Sequence, residues 1–160
     1  MNTAKRIHII GSVASGKSTL ARRLSKERGI PYYELDNVMW RRHPDGDSRN
    51  KEAQRRDILT SILNRESWII EGVHYQEWMY KCLEEADLII FLDTPKRKRN
   101  FRILKRYIEE KYGFKKGNYK QTLTMLRKMY GWNRHYETKE KPIVMRILKP
   151  YQYKVIIQKG

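Results

Sequence analysis

The chain has 160 residues and a mass of 19.4 kDa, a size that suits one domain with a substantial core. Its 39% hydrophobic residues, with 11 Tyr, 4 Trp and 3 Phe, exclude disorder throughout, and no apolar run approaches the ~20 residues of a membrane helix. The formal charge of +17 is uneven, because residues 1–93 contain 15 Lys and Arg against 14 Asp and Glu, whereas residues 94–160 contain 20 against 4.

The first 93 residues alternate between strand and helix patterns. A short β-branched run at residues 6–10 ends at a glycine and predicts the first strand. Residues 17–28 contain leucines four apart and are followed by Gly29 and Pro31, which predicts a helix and its end. The other elements predicted here are strands at 32–35, 68–70 and 88–92, helices at 49–65 and 76–86, and an exposed loop at 41–50.

Beyond Pro95 the pattern is mainly helical and strongly basic. Predicted helices cover residues 96–111, 119–135 and 142–149, a glycine-punctuated stretch covers 113–117, and a last strand covers 155–158. Strands that alternate with helices predict a three-layer α/β fold with a mainly parallel five-stranded sheet. We therefore expect one domain over residues 1–160, with a basic lid and helical C-terminal part at about 96–150.

A phosphate-binding loop follows the first predicted strand directly. The sequence G-x-x-x-x-G-K-S between a strand and a helix is the P-loop motif. Its backbone N–H groups would surround phosphate oxygens, its lysine would reach the β- and γ-phosphates, and the serine after the lysine would offer its hydroxyl to Mg²⁺. The expected ATP-binding residues are Gly11, Ser12, Val13, Ala14, Ser15, Gly16, Lys17, Ser18 and Thr19.

The rest of the chain narrows the class of P-loop protein. A GTPase would carry an N-K-x-D sequence to recognise its base, and the nearest string, at residues 50–53, lacks the aspartate. Helicases and AAA-type motors need more than 160 residues for their sensor and lid elements. The remaining class is the small phosphotransferases, which use a basic lid.

Several further motifs share their spacing with one group of proteins. They are Leu35-Asp36-x-x-x-Trp40, Glu71-Gly72 after the third strand, and Ile90-Phe91-Leu92-Asp93-x-Pro95 followed by Arg102 and Lys105-Arg106. With these motifs and the P-loop, the chain resembles the adenylate-kinase-like P-loop proteins called DNA topology modulation proteins, from about Lys5 to Ile157. The resemblance implies a nucleotide-kinase fold, a five-stranded sheet with the first strand at its centre, and ATP with Mg²⁺.

The resemblance also implies roles for three acidic residues. Asp36 follows the second strand, where related kinases place an acid near the phosphate acceptor, so it is the candidate acceptor ligand or general base. Glu71 stands where relatives have an aspartate and joins Ser18 as a metal-site candidate. Asp93 ends the fourth strand, like the acid of a second nucleotide-binding motif, and is the third metal candidate. The alternative role for Asp36 and Asp93 is helix capping.

Arg102 and Arg106 are the expected lid arginines. Because they lie four residues apart on one predicted helix, they would share a face and converge on one anion. Lid arginines stabilise the charge of a phosphoryl group in transfer. Arg97 and Arg99 are alternatives, and a solvated basic helix face is the structural explanation for each of them. With Lys17 and Asp36, Arg102 and Arg106 complete the expected catalytic set.

The lid and the acceptor side differ from the family pattern. Residues 109–117 lack the expected arginine and acidic positions, which leaves the identity of the acceptor open. Cys82 lies where relatives tend to have an arginine, and a small buried side chain is the better expectation there. The tryptophans could line an acceptor pocket or belong to the core; they are Trp40, Trp78 and Trp132.

Two functions compete on these observations. The first is an ATP-dependent phosphotransferase of the nucleotide-kinase type that acts on a small nucleotide, nucleoside or other hydroxyl or phosphate acceptor. The second is a nucleic-acid-associated ATP-binding protein, a polynucleotide kinase or DNA topology modulator, whose basic C-terminal half and interleaved tyrosines would hold phosphates and stack bases. The single cysteine and the lack of an apolar leader favour a cytoplasmic location for either function.

Overall fold

A computed structural model describes residues 3–41, 43, 46–72, 74, 77–113 and 122–160 of the chain. The strands are β1 (Arg6–Gly11), β2 (Tyr32–Glu34), β3 (Trp40–Arg41), β4 (Ser48–Arg49), β5 (Trp68–Glu71), β6 (Leu88–Leu92) and β7 (Val155–Gln158). The α-helices are α1 (Lys17–Arg28), α2 (Leu35–Met39), α3 (Glu52–Leu63), α4 (Tyr80–Glu85), α5 (Lys96–Lys111), α6 (Leu123–His135) and α7 (Lys141–Leu148). A π-helical turn covers Tyr136–Glu140, and 3₁₀ turns cover Glu77–Met79 and Lys149–Lys154.

Five strands form one sheet in the order β2-β5-β1-β6-β7, and its neighbouring strands are all parallel. β1 is the central strand, which confirms the prediction. β5 and β6 are buried along their whole length, and β1 is buried from its second residue onward. Such burial explains their continuous apolar sequences, because a central parallel strand is covered on both faces.

Two apolar layers, one on each face of the sheet, follow from the alternation of side chains along the strands. On one face, Ile7 and Ile9 of β1 pack with Leu20 of α1. On the other face, Ile10 of β1 belongs to a cluster that includes residues of α2, α3, α4 and α7. The sheet therefore lies between two helical layers, and the predicted three-layer α/β fold is confirmed.

The helical C-terminal part is more continuous than predicted. The predicted helix at 142–149 is present as α7, with Pro142 in its first turn, but it directly continues α6 and the π-helical turn. Proline cannot donate a backbone hydrogen bond inside a helix, and its ring crowds the preceding turn. The π turn is wider than an α-helical turn, because the N–H of Lys141 donates to the carbonyl of Tyr136, five residues earlier. This extra width accommodates the ring of Pro142. The predicted start of the α6 helix at residues 119–121 lies outside the described residues.

The predicted loop at residues 41–50 contains a short antiparallel hairpin, in which Trp40 of β3 pairs with Arg49 of β4. Helix α3 consequently begins at Glu52 and not at residue 49. The predicted glycine-punctuated stretch falls largely outside the described residues, since only its first residue, Gly113, is described. Within the described ranges, no helix has both the length and the apolar character to cross a membrane.

Candidate active site

The P-loop lies at the carboxyl end of the central strand, the place where ligands bind in open α/β sheets. Gly11 ends β1, residues 12–16 form the connecting loop, and Lys17 begins α1. Gly16 has φ 103°, a left-handed conformation that side chains rarely adopt, and a Cβ there would lie 3.4 Å from Nη1 of Arg102. Gly16 thus allows both the turn of the loop and the close approach of the Arg102 side chain.

Lys17 sits within a group of acidic residues. Its Nζ donates a 2.9 Å hydrogen bond to the carbonyl of Ser12. Burial lowers the pKa of Lys17, and the nearby carboxylates of Glu71, Asp36 and Glu34 act in the opposite direction. Two predicted site residues, Glu71 and Asp36, are therefore close enough to Lys17 to influence its charge.

Two buried hydroxyls in the loop are suited to bind phosphate oxygens. Ser12 Oγ and Ser15 Oγ have no hydrogen-bond partner in the described part of the chain, although both residues are buried. No side chain caps the N-terminus of α1, so its free N–H groups point into the same loop. These donors fit the phosphates of a nucleotide. Thr19, the last residue of the motif, is exposed.

Ser18 and Glu71 form a pair suited to a magnesium ion. Glu71 ends β5 beside the central strand, where it aligns with Ile9, and its carboxylate accepts a 2.5 Å hydrogen bond from Ser18 Oγ. Burial raises the pKa of Glu71, while Lys17 and the Ser18 hydrogen bond oppose that rise. Hydroxyl and carboxylate oxygens are ligands that Mg²⁺ prefers, and it usually completes its shell with water and substrate phosphates.

Glu34 is a residue of this site that the sequence analysis missed. It ends β2 in register with Glu71 of β5, so the two carboxylates leave neighbouring strands side by side. The Glu34 side chain is 18% exposed and lies 3.6 Å from Nη2 of Arg22. The sequence feature that could have identified Glu34 is its position two residues before Asp36, at the carboxyl end of a predicted strand. Within the described ranges, no group of three His, Cys, Asp or Glu side chains is arranged as a complete metal site.

Asp36 lies in the first turn of α2 and does not cap it, because the N-cap is Glu34; the capping alternative is therefore wrong. Its side chain is 63% exposed, and its Oδ1 lies 3.5 Å from Nε2 of His74. The His74 ring packs against Trp78, with ring centroids 5.6 Å apart. Asp36 is thus an accessible carboxylate beside the His74 ring, which in turn packs against Trp78.

The tryptophans predicted as pocket candidates lie in different places. The guanidinium of Arg55, a buried residue, lies 5.7 Å from the centroid of the Trp78 ring. Trp40 is 37% exposed in β3, and Trp132 is 51% exposed on α6. Trp78 packs against His74 beside Asp36, while Trp40 contacts Asp36 through its backbone N–H, which donates to the Asp36 carbonyl.

Arg102 of α5 lies directly over the P-loop. Its Nη1 donates to the carbonyl of Ser15 at 2.7 Å and to that of Ala14 at 3.3 Å. Arg106 does not join it, because Arg106 Nε donates a 2.6 Å hydrogen bond to Glu110 on the same helix. The predicted convergence of the two arginines is therefore not present in this conformation.

The two alternative lid arginines have different environments. Arg97 is exposed on α5. Arg99 is 1% exposed, forms an ion pair with Glu137 and lies against the ring face of Tyr136. Arg99 is therefore a buried link between helices and has no surface that a nucleotide could contact in this conformation.

Asp93 is separated from the Ser18–Glu71 pair. Its carboxylate accepts a 2.5 Å hydrogen bond from Nζ of Lys141, and its backbone N–H donates to the carbonyl of Gln158. β1 lies between β5, which carries Glu71, and β6, which precedes Asp93. The N-cap of α5 is Pro95, so Asp93 does not cap that helix. The capping alternative is therefore wrong for Asp93, and its carboxylate forms an ion pair with Lys141 in this structure.

Comparisons with known proteins bear on the fold. Over 101 residues the chain is 28% identical to a shikimate kinase of Aquifex aeolicus (strain VF5), an alignment that covers 56% of this chain and 60% of that protein. A solved shikimate kinase from Acinetobacter baumannii, in complex with shikimate, has a TM-score of 0.58 at 16% identity and covers 99% of this chain and 86% of its own. A gluconokinase from Sinorhizobium meliloti 1021 has a TM-score of 0.49 at 15% identity, over 96% of this chain and 81% of its own.

The solved shikimate kinase agrees with the three-layer fold and its five-stranded parallel sheet, which is the fold of P-loop kinases. The chain spans less than two-thirds of the length of the curated relative that it matches. No family model matches the chain. The resemblance to DNA topology modulation proteins therefore depends on the sequence motifs alone.

Proposed function

We propose that this protein is an ATP-dependent phosphotransferase that acts on a small hydroxyl or phosphate acceptor. The observation that carries the proposal is the convergence of three features on one loop: Lys17 within it, the Ser18–Glu71 pair beside it and Arg102 over it. Phosphoryl transfer needs positioning and charge neutralisation more than covalent chemistry, and these side chains provide both.

Each residue of the P-loop side has a defined task in the proposed reaction. The loop N–H groups and the hydroxyls of Ser12 and Ser15 bind phosphate oxygens, and Lys17 turns from the Ser12 carbonyl to the β- and γ-phosphates. Mg²⁺, when bound, would supply positive charge that neutralises the phosphates. Ser18 would hold it directly, and Glu71 would hold it directly or through water. Arg102 moves from the loop carbonyls to the oxygens of the transferred group.

The acceptor binds on the Asp36 side of the loop in this proposal. Asp36 is exposed, close to Lys17 and beside His74, so its carboxylate can accept a hydrogen bond from an acceptor hydroxyl and receive its proton. Nucleotides and nucleosides are acceptors in keeping with the sequence motifs. The curated relative is named a shikimate kinase, so shikimate belongs among the acceptors to test.

A panel of acceptors tests the proposal. With Mg-ATP and each of a set of nucleosides, nucleotides, sugars and shikimate, we expect ADP release to rise with at least one acceptor. Asp36→Asn should lower that stimulated rate by roughly a hundredfold or more, the usual contribution of a general base. Asp57→Asn, at an exposed carboxylate of α3, is the matched control and should leave the rate unchanged. Failure of every acceptor to stimulate ADP release would contradict the proposal.

A cytoplasmic location fits the proposed reaction. Cys82 is a free, buried thiol, and burial raises its pKa to about 12, so it stays protonated and unreactive. Single reduced cysteines are the usual state in the cytoplasm, where ATP is also available.

Nucleic acid is a second candidate partner, favoured by one specific observation. Four of the exposed aromatic side chains in the described part of the chain lie in the half that carries the surplus positive charge: Phe101, Tyr112, Trp132 and Tyr153. Aromatic faces and cations together suit single strands. The relatives named above are small-molecule kinases and give this candidate no support. Binding of labelled single-stranded DNA or RNA that weakens steeply with salt would favour it, and no binding at low salt would exclude it.

A further inference from the structure

The start of helix α5 is tied to the π-helical turn by two ion pairs. Lys141, the first residue of α7 after the turn, donates to Asp93, three residues before α5 begins. Glu137, within the turn, pairs with Arg99 in the first turn of α5. One segment of five residues, from Glu137 to Lys141, therefore contacts both sides of the junction between β6 and α5.

The same junction is also tied to the P-loop. The carbonyl of Ser15 accepts one hydrogen bond from Arg102 Nη1 at 2.7 Å and another from Thr94 Oγ1 at 2.9 Å. Arg102 follows Arg99 by three residues, so the two arginines lie on adjacent parts of the helix surface, about 5 Å apart along the axis. The contacts therefore form a closed circuit. Arg102 joins the P-loop to α5, Arg99 joins α5 to the π-helical turn, and Lys141 joins the end of that turn to Asp93, which is next to Thr94 and its contact with the P-loop.

The electrostatic environment makes these two pairs important for the placement of α5. Arg99 is 1% exposed, and its Nε and Nη1 have no hydrogen-bond partner among the described residues. Glu137 is therefore the carboxylate that compensates its buried charge. Asp93 and Lys141 are partly buried, with side chains 26% and 29% exposed, so their attraction is less screened than that of a surface pair.

We propose that the ion pairs Asp93–Lys141 and Arg99–Glu137 are positioning devices that hold α5 so that Arg102 reaches the phosphate site. The inference rests on the proposed function, because it assumes that Arg102 binds a nucleotide phosphate. A shift of α5 by about 1 Å would move the guanidinium out of productive geometry, and misplacements of that size can cost a hundredfold in rate. Asp93 thus acts through Lys141 and Arg102, in place of the metal role that its position in the sequence suggested.

Calorimetric titration of the full chain with Mg-ATP tests the proposal, because it measures binding without an acceptor. The main variant is Asp93→Asn combined with Lys141→Met, which removes one ion pair without leaving an unpaired charge. We expect Mg-ATP affinity to fall about fivefold in this variant and about tenfold in Arg102→Ala, from the loss of a charge-assisted hydrogen bond. When the substitutions are combined, the affinity should equal that of Arg102→Ala alone, since the ion pair acts through Arg102.

Matched variants separate positioning from structure. Lys141→Arg keeps the charge and should bind Mg-ATP within twofold of the wild type, and Lys139→Met, at an exposed lysine of the same turn, should do the same. Glu137→Gln supplies a second test with the shape of the side chain preserved, and it should also lose its effect in the Arg102→Ala background. Asn133 donates to Asn100 Oδ1 at 2.5 Å, a neutral contact between α6 and α5 that all these variants retain.

Two results would overturn the inference. One is an equal loss of affinity in the presence and absence of Arg102, as a metal ligand at Asp93 would give. The other is unchanged affinity in both the Asp93–Lys141 and the Glu137 variants. If the wild type binds Mg-ATP with the expected coupling but phosphorylates no acceptor, the proposed function fails while this inference stands. If the wild type does not bind Mg-ATP, both are overturned.

Discussion

At the scale of single residues, the candidate site places one half-buried lysine among several carboxylates. Burial lowers the pKa of Lys17, and Glu71, Asp36 and Glu34 oppose that change. Burial also raises the pKa of Glu71, which Lys17 opposes. Each charge is therefore tolerated because the other is near, an arrangement common at active sites and costly for stability.

Replacement of Lys17 separates function from folding. In Lys17→Met the side chain keeps its length but loses the charge that would reach the β- and γ-phosphates. We expect acceptor-stimulated ADP release to fall by roughly a hundredfold or more. Because the buried Glu71 loses the opposing charge of Lys17, the variant should remain folded but unfold at a lower temperature than the wild type. Calorimetry and the ADP assay check both points, and an active Lys17→Met variant would exclude the assigned role.

His8 predicts a pH dependence of stability that is independent of activity. It is fully buried in β1, and its Nε2 lies 3.2 Å from the carbonyl of Gly72. Burial, with the charge of His74, lowers its pKa from 6.5 to about 4. Between these values the unfolded chain binds a proton that the folded chain does not, so stability is lost as pH falls from about 6.5 to about 4. The full loss is about 3 kcal/mol.

The variant His8→Gln removes this titration. Urea denaturation across that pH range measures the free energy of unfolding of both proteins. We expect the wild type to lose about 3 kcal/mol more than His8→Gln as the pH falls from about 6.5 to about 4. The comparison depends on the slope and not on the absolute stability, so a general destabilisation by glutamine does not affect it. Parallel pH profiles for the two proteins would show that His8 is not the group responsible.

At the scale of elements, helix α5 presents different arginines to different partners. Arg102 contacts the P-loop, while Arg106, one turn later, is engaged by Glu110, whose side chain is 6% exposed. The helical spacing that groups the two residues on one face is therefore insufficient to bring both to one anion. The distance of each helical turn from the loop also decides which side chain can reach it.

A matched pair of substitutions tests this difference. Arg102→Ala should lower kcat/KM for ATP by about a hundredfold, as expected for a group that stabilises transition-state charge. Arg106→Ala should lower it by less than about tenfold, because an ion pair within one helix contributes little. Steady-state kinetics with the acceptor found in the panel measures both values. A larger loss for Arg106→Ala would mean that Arg106 leaves Glu110 and binds the nucleotide.

The elements that the sequence predicts best are those with a strong local signal. The central strands were predictable because β5 and β6 are continuous apolar runs, and the P-loop because its motif lies between a strand and a helix. The π-helical turn was not predictable, because a proline usually marks the start of a new helix. The hairpin of β3 and β4 was not predicted either, because its strands have two residues each.

The candidate site shows the same limit. Ser18 and Glu71 could be predicted as partners because the ends of adjacent parallel strands and the P-loop meet at one edge of the sheet. The partner of Asp93 could not, because Lys141 lies 48 residues further along the chain. No local pattern links them, and only the path of α6 and the π-helical turn brings them together.

At the scale of the whole molecule, the positive charge belongs to the half that carries α5, α6 and α7. All four acidic residues of this half have a described partner: Glu109 with Lys105, Glu110 with Arg106, Glu137 with Arg99, and Glu140 with His135. Four carboxylates cannot neutralise the 20 Lys and Arg residues of this half, so a surplus of cations remains on it. A few of them suffice for a phosphate-binding lid, and the remainder raise the local concentration of anionic ligands.

The fate of the γ-phosphoryl group of ATP tests the central claim most directly. Phosphorus NMR of a reaction that contains the protein, Mg-ATP and the acceptor panel distinguishes transfer from hydrolysis. In transfer, the bond from the γ-phosphorus to ADP breaks as one to an acceptor oxygen forms. We predict a new resonance of the phosphorylated acceptor in proportion to ADP, a phosphate ester if the acceptor group is a hydroxyl or a phosphoanhydride if it is a phosphate, and its absence with Lys17→Met. ADP accompanied only by inorganic phosphate, whatever the acceptor, would contradict a phosphotransferase.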